Sequence, residues 1–263
     1  EATSTLLEDL RTNVIPAATA GTGLTAYVGG STAVVDDFSQ VLSDALPLFL
    51  TVVVGLGFLV LVVLFRSLVI PLTAALTALL SFGAAVGVTV FVFQWGYLTD
   101  IFGVTGTGPI LPFLPIMLFS ILFGLSMDYQ VFLVSRMQEE WARTEDNRAS
   151  VRRGLGGSGR VVAAAAAIMF SVFISFVFGD DTTIKMFGLS LAVAIALDAF
   201  IIRLVLVPSL MTVLGRANWY LPKWLSKILP KVHIESEEEA HEIADIVEEV
   251  PTVHSDAELS DQK

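Results

Sequence analysis

Five apolar stretches, Leu46–Phe65, Ile70–Phe93, Ile110–Leu133, Val161–Phe178 and Met186–Val207, constrain this chain more than any other feature of it. A helix rises 1.5 Å per residue, so about 20 apolar residues cross the ~30 Å core of a bilayer. Each stretch has about that length. With 54% of the 263 residues hydrophobic and 16% charged, a water-soluble domain could not keep so much apolar surface covered. The expected fold is an all-α polytopic membrane protein of five transmembrane helices.

Lys and Arg sort by connection. Arg66 lies between the first two stretches, Arg136, Arg143, Arg148, Arg152, Arg153 and Arg160 between the third and fourth, and Arg216, Lys223, Lys227 and Lys231 after the fifth. Basic residues in short loops stay on the cytoplasmic side. These ends are therefore expected inside, and Gln94–Gly108, Gly179-Asp180-Asp181 with Lys185 as its one nearby basic charge, and the N-terminal stretch outside.

Residues 1–45 read as the end of an extracytoplasmic domain. A helical pattern runs through Leu6, Leu7, Leu10 and Val14, followed by a strand-like Leu24–Val28 and a Gly29-Gly30 turn. Asp36–Asp44 is amphipathic and leads into the first membrane helix. No basic n-region with a cleavage site precedes the first apolar run, so no signal peptide is expected. The start at Glu1-Ala2-Thr3 has no initiator Met and suggests a truncated chain.

Residues 137–153 are expected to form an interfacial helix on the cytoplasmic surface, anchored by Trp141 and stopped by the Gly-Leu-Gly-Gly-Ser-Gly run at 154–159. Those glycines have no preceding strand and no following Lys-Ser/Thr, so they do not make a phosphate cradle. Residues 216–263 read as a basic segment and then a disordered acidic tail. Glu235–Lys263 holds eleven acids against one Lys, which accounts for nearly all of the net charge of −11. The acidity is a tail property, and no nucleic-acid partner is expected. Cys is absent and His233, His241 and His254 all lie in the tail, which removes thiolate chemistry, Ser–His catalysis and histidine metal sites from the membrane body.

Ionisable residues inside two of the apolar stretches carry the functional reading. Asp128 lies eight residues before Arg136, about 12 Å into the membrane. A charge there costs several kcal/mol, and such residues face a bundle interior or cavity and mark ion or proton pathways. Tyr129 adds a hydroxyl, although neighbours on a helix point about 100° apart. Gly124 and Ser126 suit close helix approach. Asp198 and Arg203 repeat the anomaly in the fifth stretch. At α-helical spacing they stand about 140° apart, so each is expected to meet another helix, with snorkelling to the inner interface as the alternative for Arg203. Pro109, Pro112 and Pro115 crowd the outer start of the third stretch, as a helix start or as a hinge.

The run Gly124-Leu-Ser-Met-Asp-Tyr-Gln-Val-Phe-Leu-Val-Ser-Arg136, with Glu139-Glu140-Trp141, Gly159-Arg160, Gly179-Asp180, Ile184-Lys-Met-Phe-Gly-Leu189, Asp198-Ala199, Arg203, Pro208 and Asn218-Trp-Tyr-Leu-Pro222, resembles the C-terminal half of an MmpL-type transporter of the RND superfamily. The resemblance covers nearly all of residues 24–231. It implies that the five helices are the eighth to twelfth of twelve, with residues 1–45 a short α+β remnant of the second extracytoplasmic porter domain. Asp128 and Tyr129 match the tenth-helix half of a proton-relay centre. Asp198 and Arg203 match functional twelfth-helix positions, with Ser126 an intramembrane polar neighbour and Gly124 a packing residue. It further implies a multi-pass plasma-membrane exporter of envelope lipids or glycolipids, such as trehalose monomycolate. The exporter would be driven by the proton gradient without a cofactor, and its partners would be the absent N-terminal half, membrane lipids and possible oligomer mates.

Two rivals remain. Paired carboxylates could make an intramembrane aspartyl protease, but neither Asp128 nor Asp198 follows a Gly-x-Gly, so no enzyme is expected. A non-transporting receptor or scaffold could share the fold.

Overall fold

The computed structural model describes residues 2–103, 106–222, 224, 225 and 229. The acidic tail and its three His lie outside the described residues. Five helices are long and apolar enough to cross a membrane: Ser31–Phe65, Val69–Gln94, Leu114–Thr144, Asn147–Phe178 and Thr182–Trp219. They make the chain a multi-pass, all-helical membrane protein.

At the N-terminus α1 (Ala2–Asp9) passes through a π-helical turn, Leu10–Val14, into α2 (Ile15–Thr19). The strand expected at Leu24–Val28 does not form, and no strand occurs among the described residues. A strand needs an edge to pair with, and none of those residues supplies one. Gly30, at φ +119°, turns the chain into α3 (Ser31–Phe65), which absorbs the amphipathic 36–44 segment. Arg11 clamps this start by donating to both carboxylate oxygens of Asp37, from Nη2 at 2.9 Å.

Each connection between spans is closed by local chemistry. Arg66 adopts φ +48° and donates its N–H to the Val62 carbonyl at 3.0 Å, an αL ending to α3. Ser67 then accepts the N–H groups of Val69 and Ile70 at the start of α4 (Val69–Thr89). After the short helix α5 (Thr99–Phe102), Pro115 sits in the first turn of α6 (Leu114–Thr144), where a missing N–H costs nothing. Glu145 ends α6, and Asp146 caps α7 (Asn147–Ser175) by accepting from Arg148 and Ala149 at 3.0 and 3.2 Å. Asp181 caps α8 (Thr182–Ala196) by accepting from Ile184 at 3.0 Å.

The separate interfacial helix and its glycine stop are corrected by this arrangement. Residues 137–144 finish α6, 147–153 begin α7, and α7 runs unbroken through the 154–159 glycines. The reason is packing. A Cβ at Gly154 would lie 2.9 Å from the Met137 backbone, so that glycine seats α7 against α6 rather than ending a helix.

Helix α6 is the centre of the bundle, touching α3, α4, α7 and α8. In its N-terminal half Phe119 is fully buried and packs against the rings of Phe49, Phe82 and Phe123. Toward its C-terminal end the core is Leu61, Phe65, Leu133, Met137 and Val207. Between the two layers lies the polar site.

Candidate functional site

After Ala196 the last span changes its winding. Leu197–Leu206 is π-helical before α9 (Val207–Leu214) resumes the α-helix. In a π-helix the hydrogen bonds run from i to i+5, so residues five apart come round to nearly the same side. That geometry corrects the expectation that Asp198 and Arg203 face away from each other. Arg203 Nη2 donates to Asp198 Oδ2 at 2.7 Å, and with a side-chain exposure of 2% the guanidinium does not snorkel.

Neighbouring helices complete the pair. Ser126 on α6 donates to Asp198 Oδ1 at 3.1 Å and accepts from Arg203 Nη2 at 2.7 Å, and Ser81 on α4 approaches the same Oδ1 at 3.4 Å. The Tyr129 ring lies beneath the guanidinium, 5.6 Å from centroid to Cζ, while its hydroxyl points to Met169 Sδ at 3.9 Å. Arg203 Nη1 is buried with no hydrogen-bond partner among the described residues. Moving two charges out of water costs several kcal/mol each, offset only by close pairing and further hydrogen bonds. Removing the Asp198 carboxylate would leave a buried cation without its counter-charge.

Asp128 is placed elsewhere. It is exposed on the far side of α6, in a stripe with Met117, Ser120, Gly124 and Phe132. Within these five helices the interior holds Ser126 and Tyr129, and Asp128 faces away from it. Gly124 lies on the same exposed stripe, where an added Cβ meets nothing within 4 Å. Within these helices Gly57, Gly154 and Gly188 are the glycines in close packing, the last 2.9 Å from the Phe173 carbonyl at its Cβ position.

Several polar residues were missed in the sequence. Ser81 escaped notice because a lone hydroxyl in an apolar span ordinarily satisfies itself on its own helix. Thr89 and Ser190 hydrogen-bond at 2.7 Å between α4 and α8. Lys185, counted only as a loop charge, is buried and donates Nζ to the carbonyls of Phe102 and Gly103 at 3.1 and 2.8 Å. Near the basic loops Asn147 and Asn218 join α7 to the end of α9, with Asn147 Oδ1 accepting from Trp219 Nε1 at 3.0 Å.

Comparison with known proteins bears on this geometry. The profile of the MMPL family matches residues 3–254. Membrane protein YdfJ of Bacillus subtilis is 49% identical over 221 residues, 84% of this chain and 30% of that protein. The mycolic acid-containing lipids exporter MmpL11 of Mycolicibacterium smegmatis is 40% identical over 228 residues, 87% of this chain and 24% of its own length. The heme uptake protein MmpL11 of Mycobacterium tuberculosis is 40% identical over 220 residues, 84% and 23% of the two chains. The chain thus spans less than a third of the length of these curated relatives.

Proposed function

This chain belongs to the MMPL family, and from that premise we propose that it forms part of a proton-motive-force-driven exporter of envelope lipids or glycolipids of RND type. The observation that carries the reading is the Asp198–Arg203 ion pair buried among apolar helices and bridged by Ser126. Ionisable groups held at such depth are costly and mark ion or proton paths.

In this reading Asp128 and Tyr129 form one side of the proton relay, and Asp198, Arg203 and Ser126 link it to helix movement. Asp128 stands on a stripe with Ser120 and Gly124, small residues that allow another helix close approach. The N-terminal half of the transporter supplies that helix. A proton taken up from outside neutralises the carboxylate, the favoured helix contacts change, and the shift passes to the extracytoplasmic domain before release inside. Residues 1–45 stand outside and the C-terminal tail in the cytoplasm. The protein is no enzyme, and its energy source is the gradient. Lipid cargo is supported by the M. smegmatis relative, an exporter of mycolic acid-containing lipids.

The test uses the full-length parent in proteoliposomes with an imposed pH gradient, loaded in parallel with lipid and with heme, the cargo of the M. tuberculosis relative. Lipid efflux should require the gradient, and Asp128→Asn should insert normally yet abolish that efflux. Asp128→Asn moving lipid at the wild-type rate would remove it from the relay. Gradient-driven movement of heme alone would overturn the cargo.

A further inference from the structure

Helix α7 buries one face and bares the other. Gly154, Ser158, Val162 and Ala166 lie against the bundle. At 3.6 residues per turn the opposite face carries Arg152, Gly156, Arg160, Ala164 and Ala167, all exposed. Three observations along this face converge on one ligand.

The first is charge. Arg153 is shared with Glu140 at 3.3 Å, whereas Arg152 and Arg160 make no ion pair among the described residues. The second is room. A glycine within a helix costs about 1 kcal/mol relative to alanine, and Gly154 offsets that by admitting Met137. At Gly156 and Gly157 an added Cβ would meet nothing within 4 Å, so nothing inside the chain asks for their bareness. They leave a notch that exposes the helix backbone between the arginines. The third is level. Arg160 directly precedes the apolar run Val161–Phe178, and Arg152 lies about 12 Å further toward the aqueous end. On the same end Trp141 stacks on Trp219 with ring centroids 5.6 Å apart, an aromatic pair suited to headgroup depth.

We infer that this face binds an anionic phospholipid. Arg152 and Arg160 hold its phosphodiester across the Gly156–Gly157 notch, and an acyl chain lies along Ala164 and Ala167. A ligand with an anion alone would leave the small-residue stripe bare, and one with an apolar chain alone would leave two cations uncompensated at the membrane boundary. A zwitterionic lipid brings its own cation to the arginines and loses the advantage. The site does not depend on the transport reading, since neither Asp128 nor the Asp198–Arg203 pair contributes to it.

The full chain in mild detergent is titrated with phosphatidylglycerol, with phosphatidylcholine of the same acyl chains and with inorganic phosphate, and retention is read by native mass spectrometry. Two arginines without an ion pair among the described residues should favour phosphatidylglycerol by about tenfold or more. Arg152→Gln/Arg160→Gln should bring its retention down to that of phosphatidylcholine, and Arg152→Lys/Arg160→Lys should keep most of it. Gly156→Leu, which fills the notch with a good helix former and leaves every charge in place, should also weaken retention, with circular dichroism confirming the fold. Equal retention of the two lipids, or undiminished retention by the Gln variant or by Gly156→Leu, would overturn the site. Displacement of the lipid by inorganic phosphate would reduce it to a simple anion contact and overturn it equally.

Discussion

Arg203 closes onto Asp198 five residues back along the same helix, Nη2 to Oδ2 at 2.7 Å, because the Leu197–Leu206 segment between α8 and α9 is wound as a π-helix. In an α-helix the two side chains would diverge. The wider winding turns a pair of scattered charges into a single neutral unit that Ser126 bridges from α6. π-Segments occur often at functional sites, and here the segment is the reason that two ions coexist inside an apolar bundle.

Removing one member of this pair should cost more than removing both. Asp198→Leu or Arg203→Met each leaves an uncompensated buried charge, a loss of about 3–5 kcal/mol. The double variant Asp198→Leu/Arg203→Met should recover most of that. Thermal unfolding of the four proteins in detergent measures the coupling. If the double variant loses the sum of the singles, the two residues act independently and the pair is incidental.

Three glycines should respond differently to one methyl group. Gly154→Ala drives a Cβ to 2.9 Å from the Met137 backbone, and Gly188→Ala to 2.9 Å from the Phe173 carbonyl. Neither neighbour can swing aside, so each variant should lose about 1–3 kcal/mol through overpacking. Gly124→Ala meets open space, and in this chain it should be neutral or stabilise by up to about 1 kcal/mol. The same variant in the full-length parent should impair export if another helix packs there. Melting temperatures of the three, side by side, decide between a packing role and an open face.

The five spans, the polar anomalies within them and the family were all legible in the sequence, because length, hydropathy and residue spacing are local quantities. What was not legible depended on partners. Asp198 and Arg203 stood out at once, yet their contact was hidden, since α-helical periodicity was assumed where the chain winds more widely. Gly124 and Gly154 look alike in sequence, and within these five helices only Gly154 has a helix opposite it. Asp128 read as interior because a membrane acid must be covered. The five helices described leave it uncovered, and the cover is a matter of what packs against α6 from beyond them. Leu24–Val28 has strand-like composition without a strand to pair with.

The junction near the basic loops should be a point of stability rather than of transport chemistry. Asn218 is 1% exposed and donates Nδ2 to the carbonyls of Met211 and Gly215 at 2.6 and 2.7 Å. Asn218→Ala removes both of these bonds, although the Met211 carbonyl keeps Asn147 Nδ2 at 2.8 Å, so the loss should be about 1 kcal/mol for each bond. Asn147→Ala also frees the Trp219 indole, now 3.0 Å from Asn147 Oδ1, so its emission should shift relative to the parent as well as its melting temperature. An unchanged spectrum together with an unchanged melt would show that the contact contributes nothing.

The sidedness follows from the basic loops and can be checked at two exposed residues. Ala142 lies at the C-terminal end of α6 and Asp180 beside the cap of α8, on opposite ends of the α7 span. With no native Cys in the sequence, Ala142→Cys and Asp180→Cys each report one end alone. Short-loop Arg and Lys are retained on the cytoplasmic side during insertion, and six Arg lie between Arg136 and Arg160 while the connection at 179–181 has none. An impermeant thiol reagent added to intact cells should therefore label Asp180→Cys and spare Ala142→Cys, with both labelled after lysis. The exposure of both positions makes a spared residue evidence of sidedness rather than of burial. The opposite pattern would invert the bundle, and Asp128 would then take its proton from the cytoplasm, a direction in which the gradient could not drive export.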